Sequence, residues 1–86
     1  MNAFWTDESW ADYLRWRSEN PKVFKRINRL VEAIAVDPFR GIGKPETLRH
    51  DLAGYWSRRI TEEHRLVYKV AGKKIYIISC RYHYRT

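Results

Sequence analysis

The chain lacks the features that mark several protein classes. Its one cysteine, Cys80, excludes a disulfide framework. No apolar run approaches the roughly 20 residues of a membrane-spanning helix. The first residues, Met1 to Glu8, lack the basic start and apolar stretch of a secretory signal. There is no internal repeat and no low-complexity stretch. Aromatic residues, by contrast, are plentiful: four Trp, six Tyr and three Phe. A disordered tail would have few of them and no apolar periodicity. In a chain of 86 residues they supply the large buried areas that so small a domain needs. These features predict a cytoplasmic protein of one domain, with no membrane association.

Charge is distributed unevenly. Residues 1–37 hold six Lys/Arg and six Asp/Glu, which cancel, whereas residues 38–86 hold eleven and four, which leaves the whole net charge of +7. Such an excess suits a polyanion partner if it gathers on one face, and a solubilising surface if it does not.

The pattern along the chain predicts an α+β fold in the order β-α-α-β-β-β, with two N-terminal helices packed on one face of a mostly antiparallel sheet. Residues 1–5 read as a short strand. Thr6 can cap a helix whose first turn carries Asp7 and Glu8, with Trp10, Tyr13 and Leu14 as its apolar face. Asn20-Pro21 is a second start signal. Val23, Ile27, Leu30 and Ile34 then recur at helical spacing until Asp37-Pro38, where proline disfavours helical geometry in the preceding residue. The stretch from Phe39 to Pro45 is a loop. Residues 55–60, 64–70 and 74–82 read as strands, joined by turns short enough for hairpins.

Alternation along those strands assigns faces. Leu66, Tyr68 and Val70 share one side, as do Ile78, Cys80 and Tyr82. Arg59, Arg65, Arg81 and His83 fall on the other, which the helices leave open. A basic open sheet face with aromatic neighbours suits single-stranded nucleic acid. Arg58 breaks the pattern by falling on the core side, and Ile77 by falling on the open side.

Metal-free RNA cleavage needs a base for the 2′-hydroxyl proton, an acid for the departing 5′-oxygen and a cation for the phosphate. Glu46, at the end of the Gly/Pro loop beside Lys44, is the candidate base; the alternative is an ordinary surface carboxylate. His83 is the candidate acid, because its ordinary pKa suits proton donation near neutrality; the alternative is a solvated histidine near the chain end. Arg65 is the candidate cation with Arg59 second, although plain phosphate binding would also use them. Tyr84 can contact a phosphate, stack on a base or simply pack. His50, His64, His83 and Cys80 lack zinc-type spacing. Gly41-Ile42-Gly43-Lys44-Pro45 lacks the spacing and the Ser/Thr of a phosphate-binding loop. Neither a metal nor another cofactor is expected, and Cys80 reads as a buried apolar thiol.

Three blocks carry a family resemblance: residues 43–48 (Gly-Lys-Pro-Glu-Thr-Leu), residues 54–68 from Gly54 through Trp56-Ser57-Arg58-Arg59 and His64-Arg65 to Tyr68, and Cys80-Arg81-Tyr82-His83-Tyr84. Together with Trp5, Ser9-Trp10 and Asp12-Tyr13-Leu14, the chain resembles the YoeB-type toxins of the RelE-like toxin–antitoxin superfamily. The resemblance implies a microbial-ribonuclease/RelE-like fold, with residues 1–86 forming a single toxin domain. It implies a ribosome-dependent endoribonuclease that cuts mRNA in the A site of the 70S ribosome, inhibits translation, and leaves 2′,3′-cyclic phosphate and 5′-hydroxyl ends. At matched positions it makes Glu46 the base, His83 the acid and Arg65 the phosphate stabiliser, with Lys44, Arg59 and Tyr84 in the same site. It also implies a YefM-type antitoxin, a homodimer, and contact with DNA only through the antitoxin complex. Many members end at the His-Tyr pair; here Arg85-Thr86 come after it, which bears on the role of Tyr84.

Overall fold

The computed structural model describes residues 1–82. Strand β1 (Asn2–Trp5) leads into helices α1 (Asp7–Glu19) and α2 (Pro21–Val36). After them come β2 (Glu46–Thr47), one turn of 3-10 helix (His50–Leu52), β3 (Trp56–Arg59), β4 (Arg65–Ala71) and β5 (Lys74–Ser79). The sheet order is β1-β5-β4-β3-β2, antiparallel except where β1 lies parallel to β5. The expected α+β architecture holds, with a two-residue edge strand added at Glu46–Thr47.

Both helices start where the capping residues stand. The Thr6 side chain accepts from the N–H of Ser9 at 3.1 Å and that of Asn20 from the N–H of Val23 at 3.4 Å, so each satisfies an N–H that has no partner within its helix. Helix α2 stops at Val36, before Asp37-Pro38. It buries Val23, Ile27, Leu30 and Ile34 against Leu66, Tyr68, Ile75 and Ile77 of the sheet. At about 1.5–3 kcal/mol per large aliphatic side chain, this stripe is a major source of stability.

Three expectations fail, each for a physical reason. The buried residues of α1 are Ser9 and Trp16; of the expected apolar face, Tyr13 packs half-buried against the core, whereas Trp10 is 45% exposed. Hydrogen bonding decides this orientation. The Ser9 hydroxyl donates to the Ile77 carbonyl at 2.9 Å, beside the Thr6 N–H that the same oxygen also accepts, and the Trp16 indole N–H donates to the Cys80 carbonyl at 3.0 Å, so two polar side-chain groups of α1 find buried partners on the sheet. Trp10 and Tyr13 join Trp5 and Phe24 in an aromatic cluster beside the core.

The second failure is Ile77, which is fully buried in the core. Val67 pairs with Ser79 but Tyr68 pairs with Ile77, so Ile78 is an extra residue in the ladder. This bulge allows Ile75, Ile77 and Cys80 all to face the helices, which strict alternation forbids. Arg81 is the third. Strand β5 ends at Ser79, so alternation no longer governs the residues beyond it. Arg81 turns to α1, bonding Glu19 at 2.8 Å, lying 3.6 Å from Asp12 and placing its guanidinium carbon 3.9 Å from the Trp16 ring centroid. The hydrogen bond from Arg81 is the main cause holding the Glu19 carboxyl below its ordinary range. This charge is therefore spent on the helix side and does not reach the open face. No described helix is long and apolar enough to cross a membrane.

Candidate active site

The loop between α2 and β2 is built around Arg58. This side chain is wholly buried on the core side of β3. Its Nη2 donates to the carbonyls of Asp37 at 2.7 Å and Arg40 at 2.9 Å, Nη1 to that of Ile42 at 3.1 Å, and Nε to the Tyr68 hydroxyl at 3.1 Å. The Tyr68 hydroxyl in turn donates to the Pro38 carbonyl at 2.6 Å. One guanidinium thus holds a segment that has no regular structure of its own. Burial pushes the Tyr68 hydroxyl pKa up, against the opposing pull of Arg58.

The same loop is pressed onto β3 at Gly43. Its carbonyl accepts from the N–H of Arg59 at 2.6 Å, and its φ of +85° is a value that favours glycine. A Cβ here would come within 2.7 Å of Leu30 and 3.1 Å of Arg58. Lys44 follows with φ of +50°, and the chain then enters β2 with Glu46 opposite Ser57.

The register defines the open face. Glu46, Ser57, Val67 and Ser79 stand side by side across four strands, and Arg59 pairs with Arg65 one step along the same face. Ser57, Val67 and Ser79 are buried and form a floor of small side chains. Glu46 and Arg59 are exposed at its margin, whereas Arg65 is half-buried. Glu46 and Arg59 are diagonal neighbours on adjacent strands, a separation of about 7–8 Å that long side chains bridge. The Arg65 guanidinium is held in place: its Nη1 donates to the carbonyls of Thr61 at 2.7 Å, Glu62 at 2.9 Å and His64 at 3.2 Å. A neighbouring row on this face alternates aromatic and cationic groups, with Lys69 over the rings of Tyr55 and Tyr76, and Lys74 over Phe4.

Glu46, Lys44, Arg59 and Arg65 therefore lie on or beside one surface. His83 and Tyr84 lie outside the described residues. Arg58 and His64, which support this surface, have no role that the sequence alone reveals. The only signal for Arg58 is its anomalous place on the core side of its strand. His64 carries none, because its partner is 18 residues away. Cys80 is buried as expected, and burial is the main cause pushing its thiol up to about 12, so it is a poor nucleophile here.

Fold and face together define a small basic α+β protein whose open sheet surface gathers a carboxylate and several cations. A family model for the YoeB-like toxins of bacterial type II toxin–antitoxin systems matches residues 5–84. Over 84 residues the chain is 52% identical to Toxin YoeB of Escherichia coli (strain K12), covering 98% of this chain and all of that one. A solved YoeB/ParE toxin from Agrobacterium tumefaciens matches with a TM-score of 0.94 at 48% identity, covering 98% of this chain and 100% of that one. A chain of a YoeB-YefM complex from Staphylococcus aureus matches with a TM-score of 0.91 at 45% identity, covering 98% of both chains. The chain belongs to the YoeB-like toxin family.

Proposed function

We propose that this protein is a ribosome-dependent mRNA endoribonuclease, the toxin of a type II pair, and that residues 1–86 form one toxin domain acting in the cytoplasm. The observation that carries the reading is the alignment of Glu46, Arg59 and Arg65 on one open face. Glu46 takes the proton of the 2′-hydroxyl. The 2′-oxygen attacks the adjacent phosphorus and the bond to the 5′-oxygen breaks. His83 gives that oxygen a proton, leaving a 2′,3′-cyclic phosphate and a 5′-hydroxyl. Arg65, held by three carbonyls, meets the charge that builds on the phosphate, so little reorganisation is needed during the reaction. Lys44, Arg59 and Tyr84 hold the RNA. With few groups to orient the strand, the protein relies on the A site of the ribosome to present the codon, so that binding supplies the alignment.

Mapping mRNA ends in a translating extract tests this reading. New ends should appear within ribosome-bound codons when the protein is added, and free mRNA should be cut far more slowly. A halt in translation with no new ends would replace cleavage by occupancy.

The partner we propose is a YefM-type antitoxin with an acidic segment, as supported by the Staphylococcus aureus YoeB-YefM complex and the +7 charge of this chain. Its binding should weaken about tenfold between roughly 0.1 M and 0.5 M salt, where screening shortens the reach of surface charges. Titration calorimetry across that range checks this, and a salt-independent Kd would point to an apolar interface. DNA contact is through the antitoxin complex alone. The exposed Trp10, clustered with Trp5 and Tyr13 on the helix side of β1, gives a second copy of the chain an aromatic surface on which to form a homodimer.

A further inference from the structure

We propose that His64 is a positioning residue: it holds Tyr82, the residue immediately before His83, and so sets where the acid-bearing segment leaves the sheet. The proposal rests on the reading of His83 as the general acid.

Residues 80–82 belong to no strand, yet each is anchored in turn. The Cys80 carbonyl accepts from Trp16. The Arg81 side chain bonds Glu19. Tyr82 is held on both sides of its backbone: its N–H donates to Nδ1 of His64 at 2.7 Å and its carbonyl accepts from the N–H of Arg65 at 3.1 Å. Tyr82 has a φ of +62°, a left-handed conformation that is unfavourable for a non-glycine residue. Such a conformation persists only where its surroundings impose it. Two consecutive residues, His64 and Arg65, impose it here.

The chemistry of the ring explains why histidine stands at this position. An Nδ1 that accepts a hydrogen bond carries no proton, so the imidazole is neutral with its hydrogen on Nε2. Nε2 lies 3.6 Å from Glu63 Oε1, an arrangement that favours this tautomer. The ring is buried, edge-on to Trp16 at 4.8 Å and 5.0 Å from the Tyr82 ring. A phenylalanine could fill the space but could not accept from Tyr82. Arg65 contributes twice, through its guanidinium on the open face and through its backbone in this clasp. The clasp thereby ties the acid-bearing segment directly to the residue that meets the phosphate. A displacement of about 1 Å between such groups can cost about a hundredfold in rate.

The test uses the full chain with His64→Phe, which keeps a ring and removes the acceptor, and His64→Asn, which returns an acceptor close to the position of Nδ1. Amide exchange followed by NMR should quicken at Tyr82 at least about tenfold in His64→Phe, with the β4 amides from Leu66 onward unchanged, and recover in His64→Asn. On programmed ribosomes the kcat for mRNA cleavage should fall about a hundredfold in His64→Phe with KM within about twofold of the parent, and His64→Asn should regain most of it. Should His64→Phe fail to fold, His64→Asn and His64→Gln are compared, and only the variant that protects the Tyr82 amide should keep kcat. A faster Tyr82 exchange with unchanged kcat would overturn the proposal, as would a loss confined to KM or an equal loss in both variants. If the parent protein cuts no mRNA, the enzymatic reading fails, and the exchange measurement still tells whether His64 holds Tyr82.

Discussion

Glu46→Ala and His83→Ala should each lower mRNA cleavage by about 10²- to 10⁴-fold, the range of a lost acid or base in a proton-transfer step. The two losses should not add. Once either transfer has failed, removing the other group costs little more, because both serve one transition state. Stability should stay within about 0.5 kcal/mol for Glu46→Ala, since the side chain is exposed and the backbone pairing with Ser57 does not involve it. Single-turnover cleavage on programmed ribosomes, read beside thermal unfolding, separates chemistry from folding. Arg65→Ala is a poorer probe: its guanidinium also bridges three carbonyls of the turn before β4, so its loss mixes electrostatics with disorder in that turn. Full cleavage by both Glu46→Ala and His83→Ala would remove the mechanism and leave a protein that acts by occupying the ribosome.

Arg58→Met should produce the largest loss of stability of any single change in the loop–sheet contact, about 3–5 kcal/mol. Methionine fills much of the volume, so the loss is not mainly a cavity. It comes from the carbonyls of Asp37, Arg40 and Ile42 and from the Tyr68 hydroxyl, all of which lose the donor that served them. Each polar group left buried without a partner costs about 1–3 kcal/mol, and relaxation of the loop toward water recovers part of the sum. A domain of this size typically has about 5–15 kcal/mol in all, so unfolding by heat should occur at least about 12 °C lower. Arg58→Lys should recover only part of this, because one ammonium cannot reproduce the planar fork that reaches three carbonyls. Denaturant melts of the three proteins check the order. A parent-like midpoint for Arg58→Met would show that the loop is held by other contacts.

The parts of the fold visible in the sequence are those governed by local chemistry. Caps at Thr6 and Asn20, the proline stop at Pro38, the four-residue stripe of α2 and the turn between Ala71 and Lys74 all depend on residues close in the chain. Each element was legible because its cause lies within a few residues of it. The orientation of α1 was not, because it depends on the carbonyls of Ile77 and Cys80, more than 60 residues away. A rule that reads only hydrophobicity turns Trp10 inward, whereas hydrogen bonding turns Ser9 and Trp16 inward.

The candidate site divides in the same way. Chemistry and the family resemblance named Glu46, Arg59, Arg65 and His83, and alternation put Arg59 and Arg65 on one face. Alternation could not place Glu46, which lies in a loop by composition and becomes a strand only by pairing with Ser57. It misplaced Arg81 and Ile77, because the strand ended early and carried a bulge.

By itself, then, the sequence determined the element order, the basic character of the second half and the carboxylate, histidine and arginine side chains on which the proposed chemistry draws. Only the tertiary structure decided which charges face outward. Of the arginines from Arg58 onward in the described residues, Arg59 and Arg65 lie on the open face, Arg58 is enclosed by carbonyls and Arg81 is turned to Glu19. The physical reason is that a buried charge must find partners wherever the fold supplies them. Those partners come from segments far apart in the chain, so they exist only once the chain has folded.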